Sequence, residues 1–218
     1  MKLFATALLT TVATAATASA DVVIYNATQS KMKVDVTLPN GSVKSATLDE
    51  AVDSIDDAKF TFAAGVKTVK VAVSDDGGNP VWSGTLGFND AGVIVPSKSG
   101  ATYVAAGTYS GDGEWKAAAF MNITGDALTL DLEGHNGLGA HRKIAPTTAS
   151  FDLKKAIKLD PRETTFSVTL HVQGQPAPLE LGGSLSPGRY NLLWKRSRDN
   201  EYRVLAAGYL PPPPKSKR

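Results

Sequence analysis

The feature that most constrains the fold is a two-residue alternation of apolar and polar side chains that recurs along the chain. Residues 32–38 and 66–73 show it most clearly, and Gly, Pro and Asn residues follow each segment. A two-residue period places one face of a strand in a core and the other in solvent. Turn residues at the breaks are typical of short strands joined into sheets. The sequence therefore predicts an all-β fold.

The same pattern gives local expectations. Residues 21–26 and 32–38 are predicted to form a strand pair, and residues 39–41 a turn. Residues 48–58 are the one stretch that also allows a helix of a turn or two, although its acidic residues suit a loop equally well.

A second constraint is internal repetition. When residues 22–41 are shifted by 96 positions onto residues 118–137, five positions are identical. The identical pairs are Asn26/Asn122, Thr28/Thr124, Asp35/Asp131, Asn40/Asn136 and Gly41/Gly137. The tripeptide Ala-Ala-Gly at 105–107 also recurs at 206–208. Repetition predicts two tandem antiparallel β-sandwich domains, Ig-like or jelly-roll-like, at residues 21–111 and 112–210.

The first twenty residues have the layout of a secretory signal peptide. Lys2 is the only charge before Asp21, an apolar run follows it, and Ala18-Ser19-Ala20 supplies small residues for a signal peptidase. We expect cleavage after Ala20, export to the periplasm and no transmembrane segment in the mature chain. Residues 211–218, four prolines followed by Lys-Ser-Lys-Arg, are expected to form an exposed basic tail, either a solvated terminus or a contact for a partner.

Composition removes several classes of function. The chain has no Cys, which excludes disulfides, thiolate zinc sites and cysteine nucleophiles. Its formal charge of +2 is too balanced for a dominant nucleic-acid function. The Gly-x-Ser-x-Gly nucleophile elbow is missing, as are the Gly-Asp-Ser and Asp-x-x-His elements of acetyl-transferring enzymes. We therefore expect a protein that is not an enzyme and that holds no cofactor and no metal.

The candidate contact residues are Glu133, His135, His141 and Arg142, on one Gly-rich segment predicted to be a flexible loop, together with Trp115. One carboxylate and two imidazoles can gather a metal, but their spacing matches no established site. A plain exposed loop and a ligand or partner contact are the other interpretations. Trp115 directly follows residues 110–114, a polar Gly-rich stretch predicted to link the domains, where it can wedge between them.

The strand ends resemble a known family. The segments Val23-Ile24-Tyr25-Asn26-Ala27-Thr28 and residues 120–130, in a signal-bearing chain of this size with two β-domains, look like the periplasmic accessory protein of bacterial alginate O-acetylation. The resemblance covers the layout of the mature chain through short motifs, and related proteins serve other exopolysaccharides, including cellulose. It implies a non-catalytic adaptor that works beside acetyltransferases, and it assigns no role to an individual residue.

The sequence thus predicts an exported binding or adaptor protein of exopolysaccharide O-acetylation. Its partners would be periplasmic or membrane-bound acetylation proteins, polysaccharide, or both. Two alternatives remain open at this point. One is a structural or adhesion-type exported β-sandwich module, and the other is a metal-dependent enzyme that uses Glu133, His135 and His141.

Overall fold

A computed structural model describes residues 20–63, 65–108, 116–134, 139–146, 151, 155–160, 162 and 164–211. In this part of the chain the regular structure consists of sixteen strands and includes no α-helix. The all-β prediction is confirmed. Residues 1–19 of the predicted signal peptide, Trp115 and the basic residues of the predicted tail lie outside the described residues.

The strands fall into two halves of eight. In the N-terminal half they are β1 (Ala20–Asn26), β2 (Met32–Thr37), β3 (Val43–Leu48), β4 (Asp56–Phe62), β5 (Thr68–Asp75), β6 (Pro80–Gly87), β7 (Asp90–Ser97) and β8 (Gly100–Thr108). In the C-terminal half they are β9 (Ala117–Asn122), β10 (Leu128–Gly134), β11 (Gly139–Ile144), β12 (Ile157–Lys158), β13 (Phe166–Val172), β14 (Leu179–Leu185), β15 (Arg189–Lys195) and β16 (Tyr202–Tyr209).

The halves repeat one topology. The N-terminal outer sheet has the order β3-β2-β5-β6, and the C-terminal outer sheet has the order β11-β10-β13-β14. An eight-stranded inner sheet, β12-β9-β15-β16-β8-β7-β1-β4, joins the halves through β16 and β8. Every pairing within the N-terminal half recurs eight strands later in the C-terminal half. The predicted domain limits at 111 and 112 fall on undescribed residues and stay a prediction.

The sheets stack in four layers around three cores. One core lies between the N-terminal outer sheet and β1, β4, β7 and β8, and its equivalent lies in the C-terminal half. The middle core contains side chains from β7 and β8 together with side chains from β9, β15 and β16, so the two parts of the inner sheet pack face to face. The sandwich prediction is confirmed, and the inner strands β7, β9 and β15 are covered on both faces.

Two parts of the predicted strand pairing are wrong. β1 and β2 do not pair, because β1 enters the inner sheet while β2 enters the outer sheet and pairs with β3 across the turn at 39–41. In addition, β1 pairs in parallel with β7, and β9 pairs in parallel with β15. Parallel neighbours need a long connection. In each half it contains the four strands of the outer sheet and one edge strand of the inner sheet, β4 or β12.

The stretch 48–58 contains no helix. β3 ends at Leu48, bends follow, and β4 begins at Asp56. Leu48 and Ala51 are buried, while the acidic residues stay at the surface. The segment is therefore a loop that connects the outer sheet to the inner sheet, in agreement with the second of the two interpretations.

The repeated Asn-x-Thr motif closes an identical turn in each half. Thr28 donates its backbone N–H and its hydroxyl to Asn26 Oδ1, at 3.1 and 2.7 Å, and Thr124 does the same to Asn122 Oδ1, at 3.0 and 2.7 Å. Each Asn amide donates to the backbone oxygen four residues later, at 2.8 and 2.7 Å. Both asparagines are fully buried, so their side chains cap turns inside the protein and are inaccessible for modification.

The repeated Ala-Ala-Gly motif joins the halves. A Cβ on Gly107 would lie 2.0 Å from the backbone oxygen of Tyr209, and a Cβ on Gly208 would lie 2.0 Å from that of Ala106. Gly107 also has a φ of +71°. The two glycines let β8 and β16 approach each other reciprocally, which explains why the motif occurs once in each half.

Candidate functional site

The predicted flexible loop is a β-hairpin in which its described residues occupy two strands. Glu133 lies near the end of β10, opposite Gly139 on β11, and His141 and Arg142 follow on β11. The loop prediction is wrong for these residues because Ala140 packs on the third core opposite Leu132, which holds β11 in the sheet. His135 lies between the strands, outside the described residues.

The hairpin separates the predicted contact residues. His141 is paired with Asp131, and Arg142 is paired with Leu130, which is buried in the core. Because alternate residues of a strand point to opposite faces, Arg142 occupies the face opposite to His141. Glu133 and His141 share the solvent face, so the structure keeps those two on one surface and removes Arg142 from it.

A cluster of three side chains forms on that solvent face instead. His141 Nδ1 contacts Asp131 Oδ1, and His171 Nε2 lies 2.6 Å from Asp131 Oδ2. An ionised carboxylate only accepts hydrogen bonds, so both ring nitrogens are the donors. We call Asp131, His141 and His171 the Asp–His cluster. It spans three adjacent strands, β11, β10 and β13.

The electrostatics of the cluster centre on its carboxylate. Hydrogen bonding by His141, followed by that of His171, lowers the pKa of Asp131 below its ordinary value, and partial desolvation opposes the shift. The side chains of His141 and His171 remain 66% and 45% exposed. The cluster is therefore open to solvent and suited to contact with a partner rather than to chemistry in an enclosed site.

Sequence reasoning missed Asp131 and His171 as members of the site. The sequence signal for Asp131 was the alternation itself. Leu128, Leu130 and Leu132 point into the core, so Asp131, which lies between two of them, points to the outer face.

No group of three His, Cys, Asp or Glu side chains with the geometry to hold a metal occurs among the described residues. Each histidine of the cluster faces a different oxygen of Asp131. The predicted combination of Glu133, His135 and His141 includes one undescribed residue, so the metal question for that set stays a prediction.

The equivalent carboxylate in the N-terminal half is Asp35. Ser45 Oγ donates to Asp35 Oδ1 at 2.5 Å, and Lys33 Nζ lies 3.1 Å from Oδ2. The Ser45 hydrogen bond, followed by that of Lys33, lowers the pKa of Asp35. A carboxylate thus occupies the same place in both outer sheets with different partners.

The two outward faces differ in chemistry. The C-terminal outer face carries the carboxylates of Asp131, Glu133 and Glu180, a single lysine, Lys143, and the two histidines. The N-terminal outer face carries two lysines and one carboxylate among small side chains. Its members are Lys33, Asp35, Thr37, Ser45, Thr47, Lys70, Ala72, Ser74, Ser83 and Thr85. With neutral histidines the first face is net negative and the second is net positive.

The described part of the chain holds no helix long and apolar enough to cross a bilayer. No protein-family model matches the sequence, and no curated protein matches it.

Two solved structures align over most of the chain with little similarity. One, from Parabacteroides distasonis, has a name that assigns it provisionally to cell adhesion; the alignment covers 87% of this chain and all of the other, with 7% identity and a TM-score of 0.23. A second structure, from Bacteroides eggerthii, has a name of the same kind. Its alignment covers 88% of this chain and 96% of the other, with 10% identity and a TM-score of 0.20. At these scores the fold assignment rests on the strands of the chain itself.

Proposed function

We propose that this chain is an exported, non-catalytic binding module that holds two partners on opposite sides. The observation that carries the proposal is the four-layer stack, which turns the two outer sheets away from each other and gives them faces of opposite net charge. Opposite charge patterns recruit different partners and suppress the wrong one.

The finer proposal is an adaptor for exopolysaccharide O-acetylation in the periplasm. It is supported by the resemblance of the two strand ends to an alginate acetylation accessory protein. Both strand ends belong to the buried Asn-x-Thr turns, which set the layout of each half. In this role the C-terminal outer face, with the Asp–His cluster at its centre, meets a cationic or hydrogen-bonding surface of an acetylation protein.

A structural or adhesion-type module is the second candidate. The feature that favours it is the N-terminal outer face, which carries mainly small Ser, Thr and Ala side chains, with Val43 56% exposed at its edge. Small side chains let another extended surface approach the strands closely.

Deletion of the gene separates the two candidates. The adaptor proposal predicts a loss of acetyl groups from the secreted polymer, which is restored by the wild-type gene. Normal acetylation with normal levels of the acetyltransferases overturns it. A loss of cell attachment at normal acetylation supports the adhesion module instead.

Complementation with face variants tests the stack as the carrier of function. Replacing Asp131, His141 and His171 together by Asn, Gln and Gln is expected to abolish rescue, because the substitutions remove the Asp131 charge and both imidazole rings while keeping similar volumes. The matched control is Asp35→Asn, which alters the equivalent carboxylate on the other face and is expected to leave the C-terminal partner bound. Full rescue by the triple variant excludes the Asp–His cluster as the contact.

A further inference from the structure

A cleft opens at one end of the N-terminal sandwich, in the half that lacks the Asp–His cluster. It has a volume of about 370 Å³, within the range of small-molecule sites. Its walls come from the segment after β1, the turn between β5 and β6, and the turn between β7 and β8. It lies between the N-terminal outer sheet and the inner sheet.

The strand register identifies the equivalent positions in the C-terminal half. Pro96 and Lys195 each lie two residues after the position that pairs with a capping asparagine, so they are equivalent. Pro96 pairs with Ala101, and Lys195 pairs with Tyr202, which makes Ala101 and Tyr202 equivalent as well.

The equivalent space in the C-terminal half is filled by large side chains. Tyr202 donates its hydroxyl to Asp126 Oδ2 at 2.6 Å, and Lys195 Nζ lies 2.5 Å from the same oxygen. Lys195 Nζ also lies 4.9 Å from the centroid of the Tyr202 ring. We call these three residues the plug.

The cleft exists because the N-terminal half has smaller side chains at the positions that the plug occupies in the C-terminal half. The 96-residue shift makes Ser30 equivalent to Asp126, so the plug residues Asp126, Lys195 and Tyr202 are replaced by Ser30, Pro96 and Ala101. All three replacements line the cleft. The halves share their strand pairing, and side-chain size at these positions distinguishes them.

The lining combines hydrogen-bonding groups with an apolar wall. Ser30, Ser99 and Asn79 present hydroxyl and amide groups. The wall includes Pro80, Val81 and Pro96. Such a mixture suits a ligand that is hydroxyl-rich at its edge and apolar on its C–H face.

The charge of the cleft narrows the ligand class. Asp75 is the one charged side chain among the described residues that line it. Hydrogen bonds from the side chain and the backbone of Asn79 lower the pKa of Asp75, so it is ionised at neutral pH. A carboxylate without a cation beside it repels an anionic ligand and accepts hydrogen bonds from neutral hydroxyl groups.

We propose that the N-terminal cleft binds a neutral sugar residue and disfavours a uronate. The inference goes beyond the two-faced binding role and does not depend on it. It assigns to this half a ligand site that the plug closes in the other half.

Binding of defined oligosaccharides to the full chain, followed by ¹⁵N NMR, tests the proposal. The two probes are a β-1,4-linked glucose tetrasaccharide and a β-1,4-linked mannuronate tetrasaccharide, each added to about 10 mM. The neutral probe is expected to shift the amides of Ser30, Asn79 and Gly100, with an affinity about tenfold or more above that of the uronate probe. No shift of these amides with the glucose probe, or equal affinity for both probes, overturns the proposal.

Transplanting the plug gives the matched variants. Ala101→Tyr installs the side chain that the C-terminal half carries at that position and is expected to weaken binding of the glucose probe about tenfold or more. Thr85→Tyr adds the same side chain on the exposed outer face and should leave binding unchanged. Ser30→Asp, at an exposed position, serves if Ala101→Tyr does not fold. It introduces the residue type that the C-terminal half carries at the equivalent position, and its larger side chain is expected to weaken binding by reducing the space in the cleft. Wild-type affinity in a folded Ala101→Tyr variant overturns the proposal, and this result is independent of polymer acetylation in the deletion strain.

Discussion

Asp35 and Asp131 occupy equivalent places in two sheets of the same topology, yet one holds Lys33 and Ser45 and the other holds two histidines. The turns and the joint between the halves are, by contrast, the same in both. The capping asparagines that both halves retain are buried, whereas the partners of the two aspartates, which differ, are exposed. This division suggests that duplication preserved the framework, while the outer face and the sandwich end of each half acquired separate chemistry.

The largest expected effect is at the shared joint. Gly208→Ala places a Cβ 2.0 Å from the backbone oxygen of Ala106, and Gly107→Ala adds the strain of a positive φ to a contact of the same length. Each substitution is expected to lower the free energy of unfolding by about 3 kcal/mol or more. Denaturant unfolding measures the loss. Gly125→Ala is a control for backbone strain alone, because its φ is +85° and no atom lies within 4 Å of the added Cβ.

A small loss in the joint variants, equal to that of Gly125→Ala, would mean that β8 and β16 separate at little cost. The β8–β16 joint would then not be the element that holds the halves together, and the middle core between the two parts of the inner sheet would have that role.

The second effect concerns the capping asparagines. Asn26→Ala and Asn122→Ala each leave a buried turn without its acceptor and are expected to cost about 2–3 kcal/mol. Asn26 is expected to be the more sensitive, because its amide also donates to Asp49 O at 2.8 Å, whereas the second bond of Asn122, to Ile144 O, is 3.3 Å long. Thermal unfolding of both variants ranks them.

The control for the caps is Asn40→Ala. Asn40 accepts from the backbone N–H and the hydroxyl of Ser42 at 3.0 and 2.7 Å, in the same two-residue pattern, but at an exposed turn. Its loss is expected to stay within about 0.5 kcal/mol, since water replaces the lost contacts. Equal losses at Asn40 and Asn26 would show that burial does not set the importance of the motif.

The alternating strands made the all-β fold predictable, but not its four layers. β2 alternates strictly between three buried and three less buried residues. This pattern is typical of an outer strand. All six residues of β9 are buried, because a core lies on each of its faces. A continuous apolar run marks such a strand as buried without showing which sheets cover it. The face-to-face folding of the inner sheet therefore had no readable signal.

The candidate site was predictable only in part for a related reason. His141 and Glu133 were visible as a local cluster of polar residues. Asp131 and His171 lie 40 residues apart, and the register of β10 with β13 brings them together. That register follows from the packing of inward residues of both strands in the third core, which a single sequence does not align.

The smallest effect is electrostatic and compares the two aspartates directly. Both have a lowered folded-state pKa, so each contributes stability above its unfolded pKa of about 3.9, and the contribution is lost as the pH falls through the folded pKa. Because the carboxylates are solvent-exposed, each contribution is small. The difference lies in the partners, which are two histidines at Asp131 and a lysine with a serine at Asp35.

Replacing His141 and His171 together by Gln is expected to raise the pKa of Asp131 toward its ordinary value and to leave that of Asp35 unchanged. Ser45→Ala is expected to do the reverse, because the Ser45 hydrogen bond is the largest cause of the Asp35 shift. NMR titration of the side-chain carboxyl carbons follows both groups in one sample, so each variant serves as the control for the other. If Asp131 keeps its low pKa without the histidines, the Asp–His cluster does not set the charge of the C-terminal outer face. The chemical contrast between the two outer faces then consists only of lysines on the N-terminal face and carboxylates on the C-terminal face.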